Sequence, residues 1–165
     1  MNLQYVIIYI TKYGMWFLFL IVFLEYLNLP GFPSGIIMPA AGILIANNDL
    51  NFIFALITSV LAGLLGSLVL YSLGYFLGTP FINKISKKFP KLQKSLDKTF
   101  SYVDKYGAKA SFISRLIPVA RTLISFVNGI AKTNLLKFIL FSVCGITIWN
   151  FAFIYAGYAF NHLFL

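Results

Sequence analysis

Long runs of hydrophobic residues alternate with short polar joints along the chain. Residues 3–28, 51–79 and 134–164 are the three longest runs, and residues 51–79 contain no charged residue. A helix of about 20 apolar residues crosses a bilayer. The pattern therefore predicts an N-terminal helix over 3–28 and transmembrane helices over 51–79 and 134–164. Small residues on the second run predict a face for close helix packing: Gly63, Gly66, Ser67 and Gly74.

Two further apolar segments, residues 30–48 and 107–131, are interrupted by proline. The first contains Pro30, Pro33 and Pro39, and the second has Pro118 at its centre. Apolar segments of about 10–14 residues suit re-entrant or interfacial structures better than complete spans. We therefore predict that each segment forms a re-entrant helical hairpin.

A lysine-rich segment, residues 80–105, separates the two halves of the chain. Its apolar positions recur at helical spacing, which is typical of an amphipathic helix in the headgroup plane; Pro90 either interrupts this helix or begins its longer half. Lysine-rich loops lie in the cytoplasm, and the adjoining membrane segments favour anionic lipid over nucleic acid as the partner. The lysines between the two neighbouring apolar blocks are Lys84, Lys87, Lys88, Lys91, Lys94, Lys98, Lys105 and, just beyond this segment, Lys109.

The order of hairpin and span occurs twice, which predicts a weak internal repeat. Both spans end in similar motifs, Tyr71-Ser-Leu-Gly-Tyr75 and Tyr155-Ala-Gly-Tyr158, although their spacing differs by one residue. With the lysine segment in the cytoplasm, the two copies have opposite orientations. Broken helices that meet near the midplane of an inverted repeat build transport sites.

Composition narrows the class of protein. Of 165 residues, 60% are hydrophobic and 10% charged, whereas soluble domains have about 25% charged residues. We therefore predict one all-α membrane domain over 1–165. Cys144 and His162 are the only cysteine and histidine, too few for a disulfide framework, a zinc site or a histidine-based hydrolase. No metal, cofactor or enzymatic activity is expected.

Three ionisable residues, Glu25, Arg115 and Arg121, lie in or beside apolar segments. Each costs about 2.5–3.5 kcal/mol at the centre of a bilayer, which favours a functional role. A purely structural alternative has the arginines reaching the headgroups or pairing with Glu25 to hold the bundle. Two arginines exceed one glutamate, however, and would leave one positive charge uncompensated.

The spacing of the two arginines predicts a phosphate site. On a continuous helix, positions six apart point about 120° away from each other, but a break at Pro118 lets Arg115 and Arg121 converge. Val119, Ala120 and Arg121 would then form the first turn of a new helix, with free N–H groups. Two guanidinium groups beside a helix N-terminus bind phosphate, and in a membrane the best-matched phosphate belongs to a lipid.

Glu25 is the predicted partner of the arginines. In an empty site it would neutralise an arginine, and an arriving phosphate would displace it. Displacement would expose the carboxylate to a proton or to water, which would couple transport to pH or to a proton gradient. Whether protons take part, and whether the protein forms a homodimer, the sequence leaves open.

These residues resemble the signatures of the DedA (SNARE-associated, VTT-domain) membrane proteins over residues 20–160. The first signature runs from Glu25 to Gly42 and includes Pro30, Pro33, Ser34, Gly35 and Pro39, and the second is Arg115-Leu-Ile-Pro118-Val-Ala-Arg121. The resemblance implies two opposed re-entrant hairpins, a multi-pass protein of the bacterial cytoplasmic membrane and movement of lipids between leaflets. It makes Glu25 the family's membrane glutamate, and Arg115 and Arg121 its arginine pair.

The resemblance also implies the substrate, undecaprenyl phosphate returned to the cytoplasmic leaflet. Phosphatidylethanolamine flipping or phospholipid scrambling is the alternative, and proton-coupled antiport of small cations or drugs is the alternative from another class. The positive site disfavours antiport, because it repels cations. Two departures bear on proton coupling, since many members have an acid at the positions of Gly35 and Ser67.

Overall fold

The computed structural model describes residues 13–27, 34–47, 51–88, 90–117 and 120–164. Within these ranges all regular secondary structure is helical, which confirms the predicted all-α fold. The elements are α1 (Met15–Tyr26), α2 (Ser34–Asn47), α3 (Phe52–Lys88), α4 (Pro90–Tyr106), a 3₁₀ turn (Gly107–Lys109), α5 (Ala110–Arg115), α6 (Ala120–Ile130) and α7 (Leu135–Phe164).

The two long helices, α3 and α7, begin in the same way. The Oδ1 atom of Asn51 accepts the N–H of Phe54 at 3.1 Å, and the Oδ1 atom of Asn134 accepts the N–H of Lys137 at 3.1 Å. Asparagine side chains at this position satisfy N–H groups that the first turn leaves without a helical acceptor. The parts of these helices that are long and apolar enough to cross a membrane are Phe52–Gly78 and Leu135–Phe160.

Gly78 and Pro90 shape the backbone at the start of the lysine-rich segment and inside it. Gly78 has φ 59° and ψ −163°, which breaks the regular geometry of α3 where its apolar part ends. Only glycine adopts this backbone conformation without steric cost. Pro90 is the first residue of α4, where its missing N–H costs nothing, so the proline begins the longer helix of the segment.

The chain forms two compact units. Unit 1 contains residues 1–66 and 146–165, and unit 2 contains residues 67–145. In unit 1, α1 and α2 contact each other, and their buried apolar faces join those of α3 and α7 in one core. Its most buried members include Leu18, Val22, Met38, Ala55 and Ile154.

The core of unit 2 is smaller and includes part of the lysine-rich segment. Val103 on α4 is buried with Ala110, Ile124 and Val127, and Phe100 packs against them. Both α4 residues belong to the apolar stripe that the sequence analysis assigned to the headgroup plane. Because an apolar stripe gains as much from protein as from lipid, the C-terminal end of this stripe packs inside the unit. The interfacial position of the rest stays a prediction.

Reciprocal glycine contacts hold a short helix against a long helix in each unit. In unit 1, a Cβ atom at Gly42 would collide with the carbonyl oxygen of Ile154, and one at Gly157 with that of Pro39. In unit 2, a Cβ atom at Gly129 would collide with the carbonyl oxygen of Tyr71. Gly74 and Phe126 make the reciprocal contact of unit 2. The helix backbones therefore touch directly, as small residues allow in membranes.

Helix α6 ends in a Schellman motif. The N–H of Thr133 donates to the carbonyl of Asn128 at 3.1 Å, and the N–H of Lys132 donates to the carbonyl of Gly129 at 3.0 Å. Lys132 takes the left-handed position with φ 49°, and no other non-glycine residue of the described ranges has a positive φ. Glycine usually occupies this position, and another residue costs about 1–2 kcal/mol there.

The two predicted hairpins differ within the described residues. Helix α2 is continuous, and Pro39 lies inside it without ending it. In the second segment α5 and α6 contact each other and are separated by residues 116–119. Pro30, Pro33, Pro118, Val119 and the side chains of Ser34 and Ala120 lie outside the described residues. Re-entry into a membrane stays a prediction for both segments.

Candidate functional site

Arg115 is the last residue of α5, a short helix whose inward face is polar. The N–H groups of Leu116 and Ile117 donate to carbonyls three residues earlier, at 3.2 and 3.1 Å, so the helix tightens and stops. Ser111, Ser114 and Arg115 are all buried. Positions three and four apart lie on one side of a helix, and α5 therefore carries two hydroxyl groups and a guanidinium into the interior of unit 2.

Two serines from other helices hold the Arg115 guanidinium. Its Nη2 donates to Oγ of Ser142 on α7 at 2.9 Å and to Oγ of Ser125 on α6 at 3.2 Å. Arg115 is 2% exposed, and both serines are buried. Three helices of unit 2 thus meet at one cation. Hydroxyl groups orient a guanidinium but carry no charge that neutralises it.

Gly145 makes room for the arginine side chain. A Cβ atom at this position would lie 3.0 Å from Cδ and 3.1 Å from Cβ of Arg115. Contacts this short are closer than van der Waals separation. The missing side chain on α7 therefore lets the aliphatic part of Arg115 lie flat against that helix.

Ser111 adds a second polar group beside the arginine. It is fully buried, and its Oγ atom has no hydrogen-bond partner in the part of the chain that the structure describes. A buried hydroxyl without a partner costs about 1–3 kcal/mol. Since Ser111 precedes Arg115 by one helical turn, its hydroxyl group lies on the same side of α5 as the guanidinium.

Arg121 is the second residue of α6 and is also buried, with 6% of its surface exposed. Its backbone N–H donates to the carbonyl of Ile117 at 3.0 Å. The prediction that this N–H would be free for a ligand was therefore wrong. The physical reason is that α-helical hydrogen bonding already starts at Ile117, on the far side of Pro118, so the Ile117 carbonyl takes up the donor.

Glu25 is the last but one residue of α1 and is buried in unit 1, with 4% of its surface exposed. The next residue, Tyr26, belongs to a neutral polar network. Its hydroxyl group donates to Oδ1 of Asn150 at 3.1 Å, and Nδ2 of Asn150 donates to Oγ of Ser59 at 3.1 Å. This network joins α1, α3 and α7 and fixes the end of the helix that carries Glu25.

The predicted packing residues of α3 lie in different surroundings. A Cβ atom at Gly63 would lie 3.0 Å from the Tyr26 ring, and one at Gly66 would lie 2.8 Å from Cβ of Tyr26. Ser67 is buried, and Gly74 contacts the backbone of α6. Gly35 on α2 is exposed, with open space where its side chain would be.

Several polar residues of both networks were missed by sequence reasoning. They share one signal, which is a single hydroxyl or amide group inside an otherwise apolar run: Ser59, Ser111, Ser125, Ser142 and Asn150. Serine and asparagine carry no charge, so in an apolar run they indicate a functional site less strongly than arginine does. Only their burial and their partners distinguish them from surface residues.

Two long apolar helices and buried guanidinium groups are features expected of a helical membrane protein. Comparison with known proteins agrees with this class. The VTT domain model matches residues 32–159. The chain is 34% identical to undecaprenyl phosphate transporter A of Bacillus subtilis over 76% of its length, and 33% identical to the protein of the same name from Staphylococcus aureus over 90%. It is 33% identical to Protein DedA of Escherichia coli over 92% of its length.

The chain therefore belongs to the VTT-domain, or DedA, family of membrane proteins. This confirms the resemblance found in its sequence motifs. The matched region covers 63% of the Bacillus subtilis protein, 75% of the Staphylococcus aureus protein and 72% of the Escherichia coli protein. No solved structure matches the chain significantly.

Proposed function

We propose that this protein moves a phosphate-bearing lipid between the leaflets of a bacterial cell membrane, and that Arg115 holds the lipid phosphate. The observation that carries this proposal is the geometry of Arg115. Its side chain is buried and held on Nη2 by Ser125 and Ser142, which are neutral. A buried guanidinium whose Nη2 is oriented by two hydroxyl groups is suited to bind an anion that comes and goes.

The serines extend the arginine into a phosphate site. A phosphate presents several acceptor oxygens, and a guanidinium and hydroxyl groups are complementary donors. Ser125 and Ser142 fix the orientation of the guanidinium, while the Ser111 hydroxyl group, one turn before Arg115, donates to a phosphate oxygen. Arg121, buried at the start of α6, supplies the second positive charge through its side chain alone.

Glu25 is the proposed exchange partner of the lipid phosphate. It neutralises an arginine when the site is empty and gives way when the phosphate arrives. The displaced carboxylate takes up a proton, which couples transport to pH. The neutral network of Tyr26, Asn150 and Ser59 supports this role, because it holds the end of α1 in place while the neighbouring carboxylate changes partner.

Undecaprenyl phosphate is the first choice of substrate, returned to the cytoplasmic leaflet. The names of two relatives support this choice, since each is called an undecaprenyl phosphate transporter. Phosphatidylethanolamine is the second choice, because its phosphate would meet the same arginine. The proposal is transport and not catalysis, so the phosphate leaves on the same lipid that brought it.

Reconstitution into liposomes tests the proposal. The liposomes contain undecaprenyl phosphate, and its exposure on the outer leaflet is followed over time. Removing one charge-assisted hydrogen bond costs about 1.5–3 kcal/mol, which corresponds to roughly 10- to 100-fold in affinity. We expect Arg115→Ala to abolish transport. Arg115→Lys should lose most of it, because an ammonium cannot match the planar fork of the guanidinium.

Lys109→Gln is the matched control, since it removes a positive charge from an exposed position six residues earlier. It should transport at the wild-type rate. Equal transport by wild type and Arg115→Ala would refute the proposal. Parallel assays with phosphatidylethanolamine and for release of inorganic phosphate separate the substrate choices and detect hydrolysis.

Glu25→Gln tests the exchange separately. The amide keeps the shape of the side chain but neither neutralises an arginine nor titrates. We expect slower transport whose rate no longer varies with pH in the range where the wild type varies. Wild-type rate with unchanged pH dependence would end the exchange idea but leave the phosphate site standing.

A further inference from the structure

Unit 2 contains a groove that shares no residue with the Arg115 cluster. Its volume is about 570 Å³, which lies within the range of small-molecule sites. The groove runs between the end of the apolar part of α3 and the turn that joins α6 to α7. Its walls are formed by Leu68, Tyr71, Ser72, Tyr75, Phe76, Lys132, Thr133 and Leu135.

The groove lies where both candidate spans end. The span of α3 ends at Gly78, three residues after Tyr75, and the span of α7 begins at Leu135, two residues after Thr133. At a rise of 1.5 Å per residue, Tyr75 is within about 5 Å of the end of its span. A membrane crossed by these two candidate spans would have its headgroups at this end of the groove and its acyl chains along the apolar walls.

One wall of the groove carries a cation in a strained position. Lys132 has the left-handed backbone that favours glycine, and its Nζ atom lies 5.4 Å from the centre of the Tyr75 ring. The hydroxyl group of Tyr71 donates to the carbonyl of Thr133, which ties the turn to the wall formed by α3. Strain that persists in a firmly held turn points to a function. Here it places an ammonium group over an aromatic ring.

The charge of the groove selects its ligand. None of the lining residues carries a carboxylate, and Lys132 is the single charged residue among them. A ligand that satisfies both the ammonium and the apolar walls has an anionic group joined to an aliphatic part. A membrane supplies this chemistry as anionic phospholipid, and each lysine near the surface attracts such lipid by electrostatics.

We propose that this groove binds an anionic glycerophospholipid of the surrounding leaflet. The lipid phosphate contacts the Lys132 ammonium, and the glycerol and upper acyl chain lie along Tyr75 and Leu135. The site is separate from the transport site, and the inference does not rest on the proposed function. It describes a lipid that stays at the turn between α6 and α7 and fixes this turn.

Thermal unfolding of the purified full chain in detergent tests the site. The apparent Tm is measured with increasing phosphatidylglycerol and, in parallel, phosphatidylcholine. We expect phosphatidylglycerol to raise the Tm more than phosphatidylcholine does. Lys132→Gln should weaken the apparent affinity for phosphatidylglycerol roughly fivefold, the effect of one lysine at a membrane surface. Lys137→Gln, an exposed lysine five residues later that does not line the groove, is the matched control and should behave like wild type.

Lys132→Gly separates the charge from the fold. Glycine relieves the left-handed strain, so this variant should unfold at the wild-type temperature or above it without added lipid. Its additional stabilisation by phosphatidylglycerol should nevertheless be lost. If Lys132→Gln lost the lipid effect only because it was less stable, Lys132→Gly, which is not less stable, would keep that effect.

Three outcomes would overturn the site. In the first, the two lipids raise the Tm equally. In the second, Lys132→Gln and Lys137→Gln lose the same apparent affinity for phosphatidylglycerol. In the third, Lys132→Gly is still stabilised by phosphatidylglycerol as strongly as wild type. Arg115→Ala should keep the phosphatidylglycerol effect even where its transport is abolished. Failure of the transport proposal and failure of this site are therefore distinguishable.

Discussion

The two units build the same helix contacts but place different chemistry on them. Equivalent positions on α3 and α7, and just before each helix, are separated by the same number of residues along the chain: Asn51 and Asn134, Ser59 and Ser142, Ser67 and Asn150, Gly74 and Gly157, Tyr75 and Tyr158. The two asparagines accept equivalent N–H groups at 3.1 Å, and the two glycines touch the backbone of a short helix. Ser59 and Ser142 are both buried.

The difference lies in what the serines hold. In unit 1, Ser59 accepts from Asn150, which in turn accepts from Tyr26, and these three side chains are neutral. In unit 2, Ser142 accepts from the Arg115 guanidinium. Equivalent helix contacts thus support a neutral hydrogen-bond network in unit 1 and a buried cation in unit 2. Repetition of backbone contacts is a constraint of packing, whereas the polar groups are free to diverge.

The contacts also correct the register of the repeat. The sequence motifs paired Tyr71 with Tyr155, which left a mismatch of one residue. The reciprocal glycine contacts pair Tyr71 with Ile154, because these two carbonyls receive Gly129 and Gly42. Gly74 and Tyr75 then match Gly157 and Tyr158 without a gap. The opposite orientation of the two copies in a membrane stays a prediction.

The largest expected effect comes from breaking the glycine contacts. Gly129→Leu and Gly42→Leu each push a side chain into a carbonyl of a facing helix, and no rotamer change relieves a clash with backbone. Overpacking typically costs about 1–3 kcal/mol and more where backbones must separate. We expect both variants to lose most of their folded protein, measured by size-exclusion chromatography in detergent and by thermal unfolding.

Gly35→Ala is the control for this pair, since open space surrounds Gly35. It should fold at least as well as wild type, because alanine favours a helix more than glycine does. If only one of the two leucine variants failed, the glycine contacts would not be equivalent and the common scaffold would be wrong.

The second expected effect distinguishes the neutral network at Ser59 from the cation site at Ser142. Ser142→Ala removes a bond to a charged group, worth about 1.5–3 kcal/mol, whereas Ser59→Ala removes neutral bonds worth about 0.5–1.5 kcal/mol. We expect Ser142→Ala to reduce lipid transport roughly tenfold or more. Ser59→Ala should lower the Tm slightly and keep most transport.

Comparing the two serine variants at matched stability gives the readout. Each transport rate is normalised to the amount of folded protein in the liposomes. Equal normalised rates for the two variants would mean that Ser142 only packs and does not position Arg115.

The sequence predicted the features that depend on strong local signals. Helical content, the long apolar runs and the break between Arg115 and Ala120 follow from hydrophobicity and proline. Both arginines are buried, but their action as a pair stays a prediction. Two features did not follow. Proline at position 39 stays inside α2, because the backbone around it packs against α7 in unit 1. The serines around Arg115 carry no charge, and their role depends on contacts between helices far apart in the chain.

A third variant sharpens the comparison at one atom. Position 62 is equivalent to Gly145 and is alanine, fully buried in unit 1, so a Cβ atom is tolerated where no arginine lies. Gly145→Ala would place a Cβ atom 3.0 Å from Cδ of Arg115. The flexible side chain must shift by a few tenths of an ångström, and the guanidinium with it. We expect reduced transport with little change in Tm.

Ala62→Gly is the reciprocal variant. It removes a buried methyl group, which leaves a small cavity, and it introduces a helical glycine. Each change lowers the free energy of unfolding by about 1 kcal/mol, so the Tm should fall. Transport per folded protein should stay unchanged. A Gly145→Ala variant that transports like wild type would show that the position of Arg115 tolerates such a shift.

The smallest expected effect concerns the acid that many family members have at the position of Gly35. Gly35→Glu meets no steric obstacle, because the position is exposed and lies at the second residue of α2. A carboxylate in the first turn of a helix raises the free energy of unfolding by about 0.3–1 kcal/mol. Replacing a helical glycine raises it by a similar amount. We therefore expect a slightly higher Tm and, for transport, a pH dependence with a second titrating group.

Gly35→Gln isolates the charge in this last comparison. It has the same size and gives the same relief from a helical glycine, but it does not titrate. The transport rate of both variants is measured across pH in liposomes. If Gly35→Glu and Gly35→Gln show the same profile, a carboxylate at position 35 plays no part in proton coupling. If only Gly35→Glu shifts the pH dependence of transport, a carboxylate on the exposed side of α2 can bind a proton that takes part in transport.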